Sequence, residues 1–330
     1  MEPCWNQLFD LRSVPPMAPS RTWEDLFPQD VQSLIAGALS VSCDPLCRPP
    51  VAAAAVAGVS HALRELLRPA LEEMRAAWTK SGEMAKSLGM TREQVESATV
   101  LCPASGFAAG HAVTLGELMP LLRGLLRLDL AHKSLGLRPL RPLLSALDRA
   151  AAPRLQFLVL DGNLLDDEFC GALAVVLLET DSPTLASLKE LHLAHNRITS
   201  RGIAALSDAL SFGALPQCEA LSLASNRVGD AGVAALVRSS MGGGGGLRKL
   251  RRLFLHSNLP ITRLGLRALS AALWDRATLP ALRVLHLPAL SSHAQAQHPA
   301  IPWYPDDETI AASSARGVDV VWCFDLSDRA

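Results

Sequence analysis

LQFLVLDGNLL, residues 155–165, decides the fold. Leucine stands at 155, 158, 160 and 165, and Asn163 sits between the last two. The pattern can be written L-x-x-L-x-L-x-x-N-x-L. Its L-x-L centre alternates with a period of two, so it predicts a short strand with its leucines turned to one side. The Asn follows at the point where the chain must leave the sheet. Its amide can bond backbone groups that the turn leaves open, which an aliphatic side chain cannot do.

The pattern recurs. Leu188, Leu191, Leu193, Asn196 and Ile198 repeat it, as do Cys218, Leu221, Leu223, Asn226 and Val228. Leu250, Leu253, Leu255 and Asn258 follow, with one extra residue before Ile261. An earlier copy, Leu125, Leu128, Leu130 and Leu135, has Lys133 at the Asn position, and a last copy, Leu282, Leu285 and Leu287, has Leu290 there. The copies start at 125, 155, 188, 218, 250 and 282, so the repeat is 30–33 residues long. After each turn the apolar period lengthens to nearly four, as in Gly202, Leu206 and Leu210, in Gly232 and Leu236, and in Gly265, Leu269 and Leu273. Each copy therefore reads as a strand followed by a helix with one apolar stripe. No single copy can bury that stripe, so the copies must stack.

These copies resemble leucine-rich repeats of the long, ribonuclease-inhibitor-like subfamily. The resemblance covers residues 121–290 and implies an α/β solenoid of about six repeats, with short parallel strands inside and helices outside. A binding scaffold rather than an enzyme is the expectation, although fold alone does not fix function.

In such a solenoid the residues between the buried leucines line the concave sheet surface. The central row is Asp129, Val159, His192, Ser222, Phe254 and His286. Arg127, Phe157, Glu190, Ala220, Arg252 and Val284 precede it, and Ala131, Asp161, Ala194, Ala224, His256 and Pro288 follow it. The surface is mixed, apolar at some points and charged at others, which suits a protein partner. The candidate contact residues are Arg127, Asp129, Phe157, Asp161, Glu190, His192, Arg252, Phe254, His256 and His286. Phe254 and Arg252 are the best anchors, because exposed aromatic and Arg side chains often dominate binding energies. His192, His256 and His286 lie on three different strands. Exposed histidines on a polar sheet are the ordinary case, so no metal is expected there.

Outside the repeats the grammar changes. Residues 1–20 read as a flexible tail, 21–80 as a small all-α domain, 81–120 as a helical connector or cap, and 291–330 as a loop with a final capping strand. Helices are predicted at 29–39, 51–67 and 69–78, the first opened by Pro28, where a missing N–H costs nothing. Pro28, Val31 and Ile35 precede Val59-Ser60, Leu63-Arg64 and Trp78. That order resembles an F-box, with Phe27-Pro28 in place of the usual Leu-Pro and a longer loop from Ser40 to Pro50. The resemblance implies a substrate receptor whose Pro28, Val31, Ile35, Val59 and Leu63 dock the adaptor of a cullin–RING ubiquitin ligase. A helical cap on the first repeat is the alternative reading. Thr91 to Gln94 has the spacing of a helix capping box. The run Gly242 to Gly246 reads as a surface loop. Residues 291–308, SSHAQAQHPAIPWYPDDE, also read as a loop, and Val318 to Phe324 as the capping strand.

Composition excludes several classes. The chain has 330 residues, of which Lys and Arg total 31 and Asp and Glu 32, a formal charge of −1. No polybasic field is present to hold a phosphate backbone, which argues against nucleic acid. Aromatic residues are only 5%, as suits small, regular repeats filled by Leu, Ala and Val. Seven scattered Cys form no disulfide framework and read as reduced thiols in a cytoplasmic or nuclear monomer. The longest apolar run, VAAAAVAGV at 51–59, is too short and too rich in Ala to span a bilayer, and no signal peptide is evident. Cys43 and Cys47 lack a second ligand pair, so zinc is not expected. P-loop, G-x-S-x-G and H-E-x-x-H patterns are absent from the sequence, and nothing implies a cofactor. The cluster Asp166-Asp167-Glu168 reads as a complement to the positive end of the helix that follows. Two rivals to the F-box reading are a regulatory scaffold or inhibitor and, less favoured for want of an extended acidic tail, a GTPase-activating protein.

Overall fold

In the computed structural model the described residues are 97–103, 106–119, 122–148, 153–179, 183–241, 247–288 and 307–323, with isolated positions between 79 and 95. Residues 1–20, read as a tail, the segments 29–39, 51–67 and 69–78, read as helices, the F-box-like residues, Cys43, Cys47 and the glycine run lie outside them. The chain divides into two units, Met1–Lys86 with Thr91–Glu96, and Ser87–Met90 with Ser97–Ala330. In the first, Thr91 Oγ1 accepts the Gln94 N–H at 3.2 Å and Gln94 Oε1 accepts the Thr91 N–H at 2.7 Å, the reciprocal pair of a capping box.

The second unit is a solenoid built on one eight-stranded sheet whose order follows the sequence and whose pairs are all parallel. Its elements are β1 (Val100–Leu101), α1 (Ala109–Leu118), β2 (Arg127–Asp129), α2 (Leu137–Asp148), β3 (Phe157–Val159) and α3 (Asp167–Glu179). A single turn, α4 (Pro183–Ala186), precedes β4 (Glu190–His192) and α5 (Ser200–Ser211). Then come β5 (Ala220–Ser222), α6 (Asp230–Ser240), β6 (Arg252–Phe254), α7 (Arg263–Trp274), β7 (Val284–Pro288), α8 (Asp307–Arg316) and β8 (Asp319–Cys323). Strands and helices alternate, as the stacked copies require.

Besides the single turn α4, two elements were not foreseen. β1 extends the sheet one strand before the first copy, where 81–120 reads as helical. It is only two residues long and carries no L-x-L signal. Helix α8 begins inside the 291–308 segment that reads as a loop: Asp307 and Glu308 stand in its first turn, and residues 291–306 lie outside the described ones. The helix is held onto α7 by a buried Ser270–Thr309 hydroxyl pair at 2.7 Å.

The template leucines form the core. Leu128, Leu158, Leu191, Leu221, Leu253 and Leu285 are opposite one another in the register, and each is at most 1% exposed. Burying one such side chain is worth about 1.5–3 kcal/mol, and the stacking of copies is what provides the burial.

The buried asparagines join neighbouring copies. Asn226 Nδ2 donates to Leu223 O and Ala224 O of its own copy and to Leu193 O of the copy before, and its Oδ1 accepts the Ile198 N–H. Asn163, Asn196 and Asn258 repeat this arrangement. The residue before each Asn, namely Gly162, His195, Ser225 and Ser257, has φ between 51° and 63°, and that left-handed step turns the chain out of the sheet.

A second ladder runs along the helix starts. Asp167, the first residue of α3, accepts the N–H of Thr199 at 2.8 Å and of Gly202 at 3.0 Å with Oδ1, and the Thr199 hydroxyl at 2.6 Å with Oδ2. Asp230 does the same for Thr262 and Gly265 of α7. Asp166, rather than Asp167, serves α3 itself, accepting the N–H of Glu168 and Phe169. The recurrent glycine now has a cause: a Cβ at Gly202 would stand 2.5 Å from the Asp167 carboxylate, and one at Gly265 2.6 Å from that of Asp230.

Candidate functional site

The concave surface follows from the register. Arg127, Phe157, Glu190, Ala220, Arg252, Val284 and Asp319 form one row, and Asp129, Val159, His192, Ser222, Phe254, His286 and Val321 form the next. All ten candidate contact residues are half-buried or exposed. Val159, Ala220 and Ser222, which share these rows, are buried, so the β5 position is a floor rather than a contact point.

Four of the candidates form one chain of polar contacts. Arg252 Nη2 donates to Glu190 Oε1 at 2.6 Å, and the other oxygen of Glu190 is 3.0 Å from His192 Nε2. His192 Nδ1 lies 3.9 Å from Asp161 Oδ2, and Asp161 Oδ1 accepts the Ala194 N–H at 2.6 Å. Arg252 reaches Glu190 across β5, and Ala220 between them is small enough to lie beneath that link. Burial works to raise the Glu190 carboxyl, but the His192 hydrogen bond and the Arg252 charge outweigh it and hold Glu190 below the usual range. Asp161 is shifted the other way, because its burial outweighs the Ala194 N–H and the imidazoles of His192 and His195.

The remaining candidates form two smaller groups. Toward the start of the sheet Arg127 pairs with Asp129 at 3.0 Å, with its guanidinium carbon 6.0 Å from the centre of the Phe157 ring. Toward its end the Phe254 ring stacks on His286 at 4.6 Å, and His256 lies 5.7 Å from His286. Cys323 of β8 joins this group, with Sγ 3.6 Å from His286 Nδ1. Burial lowers the His286 imidazole and raises the Cys323 thiol. The sequence reading placed Cys323 only in a capping strand. Its proximity to His286 depends on the β7–β8 register, which the long segment between those strands hides. His192, grouped with the other two histidines in the sequence reading, belongs instead to the carboxylate chain.

Among the described residues no helix is long and apolar enough to cross a membrane. A protein-family model described as leucine rich repeat matches residues 184–207 and 219–237. Protein NLRC5 of Mus musculus is 33% identical over 132 residues, which is 40% of this chain and 6% of that protein, so the chain spans only a small part of the relative it matches. Among solved structures, a TDR receptor shares 15% identity over 64% of this chain and 28% of its own, with a TM-score of 0.29. An internalin (inlF) from Listeria monocytogenes shares 16% over 74% of this chain and 94% of its own, with a TM-score of 0.26. The repeating units seen in the sheet, the asparagine ladder and the family model thus agree that this chain carries leucine-rich repeats.

Proposed function

We propose that the chain is a non-enzymatic protein-recognition module that binds its partner on the concave sheet surface. The observation that carries this reading is the chain Arg252–Glu190–His192–Asp161 lying beside the Phe254–His286 stack. Side chains already tied to one another lose little freedom on binding, and an aromatic anchor beside an ordered charged group suits a protein surface of mixed polarity. The test is capture of partners by the full chain with a short cross-linker, followed by identification. The double variant Phe254→Ala/Arg252→Glu should lose the partner, whereas Phe212→Ala, at the exposed end of α5, should retain it. A partner held equally by both variants overturns the reading.

A finer reading concerns the N-terminal third. Its support is the order Pro28, Val31, Ile35, Val59 and Leu63, residues outside those described. On this reading they dock the adaptor of a cullin–RING ubiquitin ligase, and the concave surface selects the substrate, in a monomeric chain of the cytoplasm or nucleus. The 30–33-residue strand–helix copies support a ribonuclease-inhibitor-like type of repeat. A pull-down with the purified adaptor tests the adaptor reading: binding should disappear in Pro28→Ala/Ile35→Asp, and no binding by the folded wild type sinks it while leaving concave-surface recognition intact.

A further inference from the structure

We propose that His256, His286 and Cys323 form a site for one divalent transition-metal ion of the zinc type, held by two imidazole nitrogens and one thiolate with a fourth position open. One ligand atom from each residue lies within 4.8 Å of the other two. Cys323 Sγ and His286 Nδ1 are 3.6 Å apart. Tetrahedral zinc has Zn–S of about 2.3 Å and Zn–N of about 2.0–2.1 Å, which places a bound sulfur and nitrogen ~3.6 Å apart. One edge of the coordination figure is therefore already at its working length. The other edges are within 4.8 Å and need closing by at most about 1.5 Å, within reach of small side-chain rotations.

The backbone that presents the three ligands is well fixed. His286 lies within β7 and Cys323 ends β8, paired with Pro288, while His256 follows β6 by two residues. The anchoring of β8 is itself strong. Arg316, at the end of α8, donates to the carbonyls of Ala272 and Leu273 in α7 and of Thr278 and Leu279 beyond it. Phe254 stacks on the His286 ring and meets His256 edge-on at 6.3 Å, which restricts how both imidazoles turn. Two imidazoles with a thiolate favour zinc, cobalt or copper over magnesium or calcium, which prefer oxygen. Binding would release the thiol proton to solvent and leave the site with one net positive charge. All three ligands belong to positions that line the concave surface, so on the recognition reading a carboxylate or imidazole from a bound protein could supply the fourth ligand.

The experiment uses the full, reduced chain stripped of metal with a chelator and titrated with Co²⁺. One equivalent should produce tetrahedral cobalt bands together with thiolate-to-cobalt charge-transfer absorption, and Zn²⁺ should displace both. Cys323→Ser should lose the charge-transfer absorption, and His256→Gln should weaken cobalt affinity by about tenfold or more. Cys43→Ser/Cys47→Ser should change neither. Circular dichroism verifies folding, and should Cys323→Ser misfold, His256→Gln decides the matter alone. Absence of saturable one-equivalent binding overturns the proposal. So does charge-transfer absorption that survives Cys323→Ser, or an unchanged affinity in His256→Gln.

Discussion

Replacing Asn226 with Ala should remove a structural joint between two copies while leaving their leucine cores in place. Asn226 is 7% exposed, and its amide serves three carbonyls and one N–H. Two amide hydrogens and one accepting oxygen amount to about three net hydrogen bonds, at roughly 1 kcal/mol each. The carbonyls of Leu193, Leu223 and Ala224 and the N–H of Ile198 would also lose a buried partner, which adds to the cost. A loss of about 3–5 kcal/mol is expected, a large share of the stability of an ordinary domain. Asn226→Asp keeps the size and one accepting oxygen but loses both donors and sets a carboxylate against carbonyls, so it should cost at least as much. Urea unfolding followed by circular dichroism measures the loss. Because repeat arrays are coupled between neighbours, the transition should broaden or split as the copies on either side of the joint separate. Hydrogen exchange supplies a local readout, since the Ile198 amide should exchange faster in Asn226→Ala. A loss below about 1 kcal/mol, or unchanged Ile198 exchange, would refute the reasoning.

Further outcomes follow from other positions. Gly202→Ala should cost about 1–3 kcal/mol by thermal or urea unfolding, because the added carbon meets the Asp167 carboxylate that caps α5, and pairing it with Asp167→Ala should recover part of that loss. Arg252→Ala should move the Glu190 titration, followed by carbon-detected NMR, up toward the ordinary carboxylate range. Glu190 has a lowered folded-state value, so its contribution to stability is present at neutral pH and lost as pH falls through that lowered value; in Arg252→Ala the contribution should be smaller and lost at higher pH. Burial, aided by the nearby charge of Asp167, pushes the Cys170 thiol up to about 12. Burial likewise pushes Cys218 up to about 12. Iodoacetamide at pH 8 should therefore label the exposed Cys102 in the native chain and reach Cys170 and Cys218 only after denaturation, as mass spectrometry of the peptides would show.

The repeats were legible because strand, turn and helix each impose a different spacing on neighbouring residues, and those spacings survive in one dimension. The asparagine ladder was legible as a need for hydrogen bonds at a turn, although its reach into the preceding copy was not. The aspartate ladder was missed, yet its signal is present. Asp167 and Asp230 each stand 32 residues before the Thr they cap and 35 before the Gly they approach. Reading Asp166–Glu168 as local helix chemistry identified the role of Asp166 but hid that of Asp167, whose partners belong to the next copy. β1 and α8 left no trace because neither repeats the template.

The concave surface obeys a different rule from the core. A buried leucine is selected by its own copy, so its position can be read from eleven residues. An exposed side chain is defined by what lies one or two strands away, and that pairing depends on every loop between. Arg252 and Glu190 are 62 residues apart in sequence, and their contact passes over a position that need only be small. Ala220 is as ordinary in the sequence as any other alanine. It gains meaning only when the register sets Glu190 on one side and Arg252 on the other. A leucine there would keep the strand, the core and the template intact while driving the two charges apart. The residues that fix what this surface can recognise are thus partly those that never touch a partner.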